Sequence, residues 1–296
     1  MKDEVKYRIE HGKYVAEISS TGAALSALTY MDSHLIEPRK HPRYFSGEIL
    51  APWPNRIADG CYNFAGTQYN LDRNEASRNN ALHGLVFDKT WDIVSSDISQ
   101  LTMKINIDEP DRYPGELQLE IRYSLDDLGL MTHLIAKNIS AKTLPYGAST
   151  HPYIVLDDAN SVDEYTLQMG SSEVLLTDSE RLLPTILVDV EKFEFDFRTP
   201  RLIGDKFIDH AFKQDPALPS EVLITGPSGN GVSVTFSESA KWIQIHTADR
   251  DGGADSRKAL AVEPMTCPPD SFNSRIDLIE IEPGGYHEMS WRIKGI

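Results

Sequence analysis

The sequence has few cysteines and no long apolar segment. Its 296 residues include two cysteines, Cys61 and Cys267. A disulfide framework needs more, so we expect both to be reduced thiols in a cytosolic protein. No segment approaches the roughly 20 apolar residues that cross a bilayer, and the N-terminus has no apolar stretch of signal-peptide length. The sequence therefore predicts a cytoplasmic protein without a membrane partner.

Basic residues are also few compared with acidic ones. The chain carries 29 Lys and Arg against 45 Asp and Glu, a formal net charge of −16 at pH 7. A negative field of this size repels nucleic acid and anionic membranes, and no cluster of basic residues offsets it. The balance favours a neutral small-molecule ligand and predicts no nucleic-acid partner.

Patterns that bind metals or nucleotides are missing. The nine histidines and two cysteines show no close metal-ligand spacing, which argues against a zinc site. The glycine-rich stretch at residues 226–231 lacks the lysine of a phosphate-binding loop and a following helix. We therefore predict neither a metal nor an organic cofactor.

The sequence also lacks long segments with a helical period, whereas alternation with a period of two recurs. Such alternation predicts half-buried strands, here at residues 101–107, 116–125, 193–197, 232–236 and 289–293. Turns are expected at residues 127–129 and 283–285, and a type I′ hairpin at Asn230-Gly231. With no internal repeat or linker, the pattern predicts an all-β fold of large antiparallel sheets, minor helix, and a single domain over residues 1–296.

Two polar residues next to prolines are the first candidates for chemistry. Glu263 follows a short apolar run and precedes Pro264, which has no N–H for a ladder. We therefore expect the strand to end or bulge there, with the carboxylate facing a cleft or solvent. His151 precedes Pro152 beside a second apolar run. A positioned carboxylate and imidazole can move protons on both sides of a bond. The structural alternatives are a carboxylate bonded to backbone N–H groups and a buried histidine.

Further candidates lie at residues 51–84 and near residue 210. Asn55 and Arg56 follow a Pro-Trp-Pro sequence, and His83 ends the same stretch. Arginine offers a planar set of donors suited to hydroxyl or carboxyl oxygens. The alternative is that Arg56 ties down a loop and His83 bonds to the backbone. Asp209 is either a ligand-binding acid or an ordinary loop residue.

Together these motifs resemble the aldose 1-epimerase (mutarotase) family over roughly residues 15–293. The order and spacing of the motifs carry the resemblance, since no single one is decisive. They are NRI-x2-G-x-Y-x-F-x-G at 55–66, LHG at 82–84, YPGELQLEIRYSL at 113–125, HPY at 151–153, Asp209 with Phe212, and VEP at 262–264. The resemblance implies the galactose mutarotase-like β-supersandwich.

The resemblance also implies roles for individual residues. Glu263 would be the general base and His151 the general acid. Sugar-binding positions would be His83, Arg56, Asp209, Asn55 and Tyr153. We expect the carboxylates of Glu263 and Asp209 to keep His151 protonated near neutral pH.

One difference from the galactose branch of the family concerns the second histidine. That branch flanks it with asparagine and with threonine or serine, whereas His151 lies between Thr150 and Pro152. The difference leaves the acid–base pair unchanged. The resemblance therefore implies the same chemistry but does not imply that galactose is the substrate.

The sequence thus predicts a cofactor-independent isomerase that interconverts the anomers of a neutral free aldose, as a monomer or homodimer. The alternative is a binding protein of the same fold that holds a sugar without changing it. The presence of both Glu263 and His151 favours the isomerase. A glycosidase is a more distant alternative, because it would usually need two carboxylates flanking the bond.

Overall fold

The computed structural model describes residues 4–39, 44–250 and 253–296. Helix is minor in this part of the chain. One α-helix, α1, spans Ser271–Ser274, and three-residue or four-residue 3-10 helices lie at Ala76–Arg78, Val162–Glu164 and Val190–Phe193. No helix in these ranges is long and apolar enough to span a bilayer.

Strands make up most of the regular structure. In chain order they are β1 (Lys6–His11), β2 (Tyr14–Ser19), β3 (Leu25–Tyr30), β4 (Ser33–His34), β5 (Ile49–Leu50), β6 (Arg56–Ala58), β7 (Cys61–Phe64), β8 (Thr67–Asn70), β9 (Asn80–Leu82), β10 (Asp92–Ser96), β11 (Gln100–Ile107), β12 (Leu117–Asp126), β13 (Gly129–Asn138), β14 (Leu144–Tyr146), β15 (Ser149–Thr150), β16 (Tyr153–Ile154), β17 (Thr166–Met169), β18 (Ser171–Thr177), β19 (Pro184–Asp189), β20 (Arg201–Leu202), β21 (Asp209–Gln214), β22 (Glu221–Thr225), β23 (Gly231–Phe236), β24 (Trp242–His246), β25 (Leu260–Met265), β26 (Ile279–Ile281) and β27 (Tyr286–Gly295).

Two large antiparallel sheets dominate. One has nine strands in the order β10-β11-β12-β13-β27-β23-β22-β17-β20, and the other has the order β19-β18-β21-β24-β25-β15-β5, with β16 also pairing with β25. A four-stranded sheet (β1–β4) and three two-stranded ladders complete the pairing. The prediction of an all-β protein built from large antiparallel sheets is confirmed.

Most of the alternating segments form strands with one buried face and one more exposed face. In β12 the apolar positions are buried and the polar ones between them are not, and β11, β23 and β27 also lie where alternation predicts them. The turn at Asp127-Leu128 joins β12 to β13, and Gly284 takes a positive φ of 75° in the turn before β27.

Two local predictions were wrong. Residues 193–197 form no strand, because a 3-10 helix ends at Phe193 and Glu194 adopts a left-handed conformation; the alternating Phe195 and Phe197 are buried all the same. The hairpin between β22 and β23 has a loop at residues 226–230 in which Gly229, with φ of 88°, supplies the left-handed residue. It is therefore not a two-residue type I′ turn at Asn230-Gly231.

The sheet that contains β25 has two buried faces. Leu260 and Val262 pack into the main core, which also draws residues from the nine-stranded sheet. Successive side chains of a strand point to opposite faces, so Glu263 points away from that core, on the same side as Ala261 and Met265. A carboxylate thus lies on the face of the sheet that is not packed against the other large sheet.

Candidate active site

All seven residues that the sequence predicts for the site line one cleft of about 430 Å³. They are Asn55, Arg56, His83, His151, Tyr153, Asp209 and Glu263. A second open cleft, of about 540 Å³ near Tyr30 and Ile296, contains none of them. The chemistry-bearing residues therefore converge on a single pocket.

Strand register explains the convergence. Residues opposite one another on antiparallel strands project from the same face. Asp209 on β21 lies opposite His246 on β24, His246 lies opposite Ala261 on β25, and Ala261 lies opposite Tyr153 on β16. The next row on the same face places Gln244 opposite Glu263. Four neighbouring strands thus supply the floor of the cleft.

Glu263 lies within β25 and is only 2% exposed. The register with β24 runs through Pro264 without a shift, so the prediction that the strand ends or bulges there was wrong. Val262 N–H bonds to the Pro152 carbonyl (3.2 Å) and Thr266 N–H to the Ala148 carbonyl (3.0 Å), on the side of β25 that faces β15 and β16. The nitrogen of Pro264 faces this same side, because N–H directions alternate along a strand. The neighbouring strand is interrupted here between β15 and β16, so a missing donor is tolerated.

His151 occupies that interruption. Its backbone N–H bonds to the Glu48 carbonyl (3.2 Å), and its carbonyl accepts from Gly47 N–H (2.8 Å). The ring packs against Tyr153 with centroids 4.8 Å apart. Its Nε2 lies 3.3 Å from Oε1 of Glu263. The predicted acid and base are therefore in direct contact.

Burial governs the charge of this pair. Burial, with the nearby Asp209 carboxylate, raises the pKa of Glu263 well above its usual value, and Arg56 opposes this shift only in part. Burial, with His246, lowers the pKa of His151 to about 3. The prediction that nearby carboxylates keep His151 protonated at neutral pH was wrong, because desolvation of the imidazolium outweighs their attraction. Burial thus favours the neutral form of each side chain, an arrangement with one shared proton on the carboxyl.

Arg56, at the start of β6, makes a two-point ion pair with a loop residue that the sequence did not single out. Its Nε lies 3.0 Å from Oε2 of Glu75 and its Nη2 lies 3.1 Å from Oε1. Nη2 is also 3.6 Å from Oδ2 of Asp209. Arg56 thus ties down a loop, as the structural alternative predicts, and it also faces the cleft.

Asp209 is an anion in this pocket. Burial alone would raise its pKa, but His246, Arg56 and a 2.6 Å hydrogen bond from Gln244 Nε2 together lower it to about 2. A buried carboxylate with one oxygen committed to Gln244 retains acceptor capacity for a ligand hydroxyl.

His83 and Asn55 both adopt left-handed backbone conformations, with φ of 66° and 53°. The Asn55 N–H donates to Nδ1 of His83 (3.2 Å), so the neutral ring carries its proton on Nε2. Burial, His151 and Arg56 lower the pKa of His83 well below its usual value. The ring is therefore a neutral donor in the cleft.

Tyr153 lies between the imidazole of His151 and a further cation. The guanidinium of Arg250 lies 4.9 Å from the Tyr153 ring centroid and 4.1 Å from that of Tyr44, and it pairs with Glu37 at 3.1 Å. Stacking of this kind fixes the orientation of Tyr153.

Sequence reasoning missed Phe45, Glu75 and His246, which line the cleft, and Gln244, which bonds to Asp209. A signal existed for two of them, since Gln244 and His246 alternate with apolar residues in a buried strand and so share one face. Glu75 carries no such signal, because it lies in a loop. Within the described residues, no group of three or more His, Cys, Asp or Glu side chains is arranged to hold a metal ion.

Comparison with known proteins identifies the family of the chain. The family model described as aldose 1-epimerase matches residues 5–294. The chain belongs to the aldose 1-epimerase family. The uncharacterized protein YihR of Escherichia coli (strain K12) is 36% identical over 288 residues, which cover 96% of this chain and 91% of that protein.

Two further relatives are more distant. The maltose epimerase of Levilactobacillus brevis is 24% identical over 248 residues, which cover 77% of this chain and 73% of the relative. The crystal structure of the GalM/aldose epimerase homologue from C. elegans aligns with a TM-score of 0.87 at 20% identity, covering 99% of this chain and all of that chain (100%). The predicted galactose mutarotase-like fold is thereby confirmed.

Proposed function

We propose that this aldose 1-epimerase family member interconverts the α and β anomers of a free aldose by acid–base ring opening and closure. The contact between His151 Nε2 and Glu263 Oε1, at 3.3 Å in a cleft lined by polar groups that can bond to hydroxyls, supports the proposal most strongly. The hydroxyl oxygen O1 and the ring oxygen O5 of an aldose are bonded to the same carbon. The acid and the base that serve them must therefore be neighbours, as these two side chains are.

The first step redistributes the proton of the pair. Oε2 of Glu263 has no donor among the described protein groups. A sugar hydroxyl that donates to this carboxyl favours its ionised form, so the proton passes across the short contact to His151. Glu263 is then a base and His151 an acid, the roles that the family resemblance implies.

Ring opening follows in that state. Glu263 removes the proton from O1, whose electron pair forms the C1 carbonyl, while the C1–O5 bond breaks and O5 takes a proton from His151. The aldehyde end rotates about the C1–C2 bond. Closure onto the other face reverses both proton transfers and restores the pair, so no outside proton donor or cofactor is consumed.

The remaining residues would hold the ring. Arg56 and the Nε2–H of His83 are donors and the Asp209 carboxylate is an acceptor; Asn55 and Tyr153 line the same cleft.

We also propose that residues 1–296 act as a single domain, because the main apolar core contains residues from Ile9 to Ile293. A monomer or a homodimer would serve this chemistry equally.

Polarimetry on freshly dissolved anomers tests the proposal. The panel should include glucose, galactose and maltose, together with glucuronate and glucose 6-phosphate as anionic members. We expect catalysed mutarotation of at least one free aldose above the spontaneous rate. Binding of a sugar without acceleration of any member would favour the sugar-binding alternative. A higher kcat/KM for an anionic member than for every neutral sugar would refute the prediction of a neutral substrate.

A further inference from the structure

Glu75 is a nearly buried carboxylate that takes no part in the proton transfers proposed above. Its side chain is 10% exposed, in the loop between β8 and β9. It accepts from Arg56 Nε (3.0 Å) and Nη2 (3.1 Å), from Arg78 Nη1 (3.2 Å) and from Asn80 Nδ2 (2.9 Å). Four donors hold both oxygens in place, more than a single ion pair needs.

The loop that carries Glu75 is fixed from outside the cleft. Backbone hydrogen bonds in both directions join Glu75 and Asn80 (3.2 and 3.3 Å) and close the loop on itself. Arg181, from the turn between β18 and β19, donates to the carbonyls of Arg78 (2.9 Å) and Asn79 (3.1 Å) and to the side chain of Asn80 (3.0 Å). The position of Glu75 is therefore set by the protein before any ligand enters.

This arrangement limits what Arg56 can offer to a ligand. Glu75 occupies the edge of the guanidinium formed by Nε and Nη2. Nη1 lies 3.4 Å from Oδ1 of Asn55, and Nη2 lies 3.6 Å from Asp209 in addition to its bond to Glu75. An arginine with a free edge binds carboxylate or phosphate through two parallel hydrogen bonds. Here the charge already faces two carboxylates, an arrangement that suits single hydrogen bonds to neutral hydroxyl groups.

We propose that Glu75 is a positioning residue of the sugar site, which holds the Arg56 guanidinium in register with Asp209 and leaves Nη1 to donate to hydroxyl groups. The identity of the ligand rests on the proposed function; the positioning itself rests on the contacts of Glu75. Because Glu75 acts through Arg56, its loss affects ligand binding and the preference between neutral and anionic ligands. The proton-transfer step is left largely intact.

The test compares Glu75→Gln and Glu75→Asp with a matched control, Glu109→Gln. Glu109 also pairs with two cations, Lys89 (2.9 Å) and Arg112 (3.3 Å), but lies outside the cleft that holds Glu263. Calorimetry with methyl glucoside, methyl galactoside and methyl glucuronide measures binding without turnover, because a methyl glycoside cannot open its ring. Polarimetry on the aldose that the wild type turns over gives kcat and KM separately.

We expect Glu75→Gln to raise KM and the Kd of the neutral glycosides roughly tenfold, the usual weight of a charge-assisted hydrogen bond. We expect kcat to stay within about threefold and the ratio of glucuronide to glucoside affinity to rise, because one negative charge is lost. Glu75→Asp should recover part of the binding, and Glu109→Gln should match the wild type. A purely structural role would lower the melting temperature and the active fraction while leaving Kd and the affinity ratio unchanged.

Two results separate this inference from the proposed function. If the wild type turns over and binds sugar while Glu75→Gln leaves KM, Kd and the affinity ratio unchanged, the positioning role is wrong and the epimerase function stands. If the wild type neither binds a glycoside nor accelerates mutarotation, both are wrong. A loss in kcat equal to the rise in KM would also overturn the positioning role, because it would place Glu75 in the chemical step.

Discussion

His151 and Glu263 are in direct contact, with Nε2 and Oε1 3.3 Å apart and side-chain exposures of 6% and 2%. Two buried ionisable groups at this distance titrate as a pair, not as independent residues. Burial disfavours both the imidazolium and the carboxylate, and it therefore favours the pair with a single proton on the carboxyl. In the form proposed to open the ring, the same proton lies on His151 and Glu263 is ionised.

The value of kcat/KM should therefore not fall as the pH is lowered from 7 to 5. The active pair carries one proton. It gains a second only below the pKa of His151, about 3, and loses its only proton above the raised pKa of Glu263. Since kcat/KM reports the free enzyme, we expect no decline between pH 7 and pH 5 in initial-rate polarimetry. A half-maximal rate near pH 6.5, the ordinary value for histidine, would contradict the charge state described here.

Removal of either member of the pair should abolish most of the catalysis. Glu263→Gln cannot accept the O1 proton and His151→Asn cannot deliver one to O5, so each should lower kcat on the order of 10²–10⁴-fold. Both replacements are polar and of similar size, so the Kd of a methyl glycoside should change little. Mutarotation by Glu263→Gln within about threefold of the wild type, after subtraction of the spontaneous rate, would exclude this mechanism.

Arg56 and Asp209 should contribute to binding more than to turnover. Arg56→Ala removes a cation that faces Asp209, and Asp209→Asn removes the anionic acceptor. Loss of a charged hydrogen-bonding partner costs about 1.5–3 kcal/mol, so KM should rise roughly tenfold or more in each variant with kcat less affected. The control is Arg112→Ala, because the Arg112 side chain pairs with Asp72 outside the cleft. Unchanged KM in both cleft variants would remove them from the binding site.

Most of the fold could be predicted from the sequence because half-buried strands leave a period of two. The strands around the cleft are different, since both faces of their sheet are buried. β25 contains Pro264, and a proline normally indicates a strand end. The strand continues because the neighbouring strand is interrupted at His151, between β15 and β16. These segments are more than 100 residues apart, so the local sequence around Pro264 gives no sign of the interruption. The prediction placed Glu263 in the site but at the wrong point of its strand.

The sequence predicted seven side chains that the fold brings to one cleft, but it did not predict their electrostatics. Neighbouring carboxylates suggest a charged His151, and only the degree of burial shows that desolvation is the larger effect. Glu75 was missed for a related reason: its role depends on a loop whose closure is set by Arg181, about 100 residues away. Contacts of this kind become visible only when the chain is folded.

Glu48 should make the stability depend on pH. Its side chain is 1% exposed and pairs with Arg39 at 2.7 Å, yet burial raises its pKa to about 7, with Asp88 and Glu4 acting in the same direction. A raised carboxyl pKa contributes stability that is complete below the unfolded value, about 4.5, and is lost as pH rises through 7. Between pH 4.5 and 7 this loss is at most about 3 kcal/mol.

Glu48→Gln cannot ionise, so its free energy of unfolding should improve relative to the wild type as the pH is raised from 5 to 8. Urea unfolding of both proteins at the two pH values measures the difference. The wild type and the variant should have equal m-values, which would show that the unfolding transition itself is unchanged. A stability difference that is the same at both pH values would mean that Glu48 does not titrate in this window.

Gly84 and Gly66 form a matched pair that tests how the backbone presents His83. Both have positive φ, 82° and 79°, but an added Cβ at Gly84 would lie 2.0 Å from the carbonyl oxygen of Ala51, whereas nothing lies within 4 Å at Gly66. Gly66→Ala should cost only the left-handed penalty, about 1–2 kcal/mol. Gly84→Ala adds a backbone clash, for a total of about 2–5 kcal/mol, and should also weaken sugar binding because His83 must move. Equal urea midpoints for the two variants would show that close approach to Ala51 does not fix this turn.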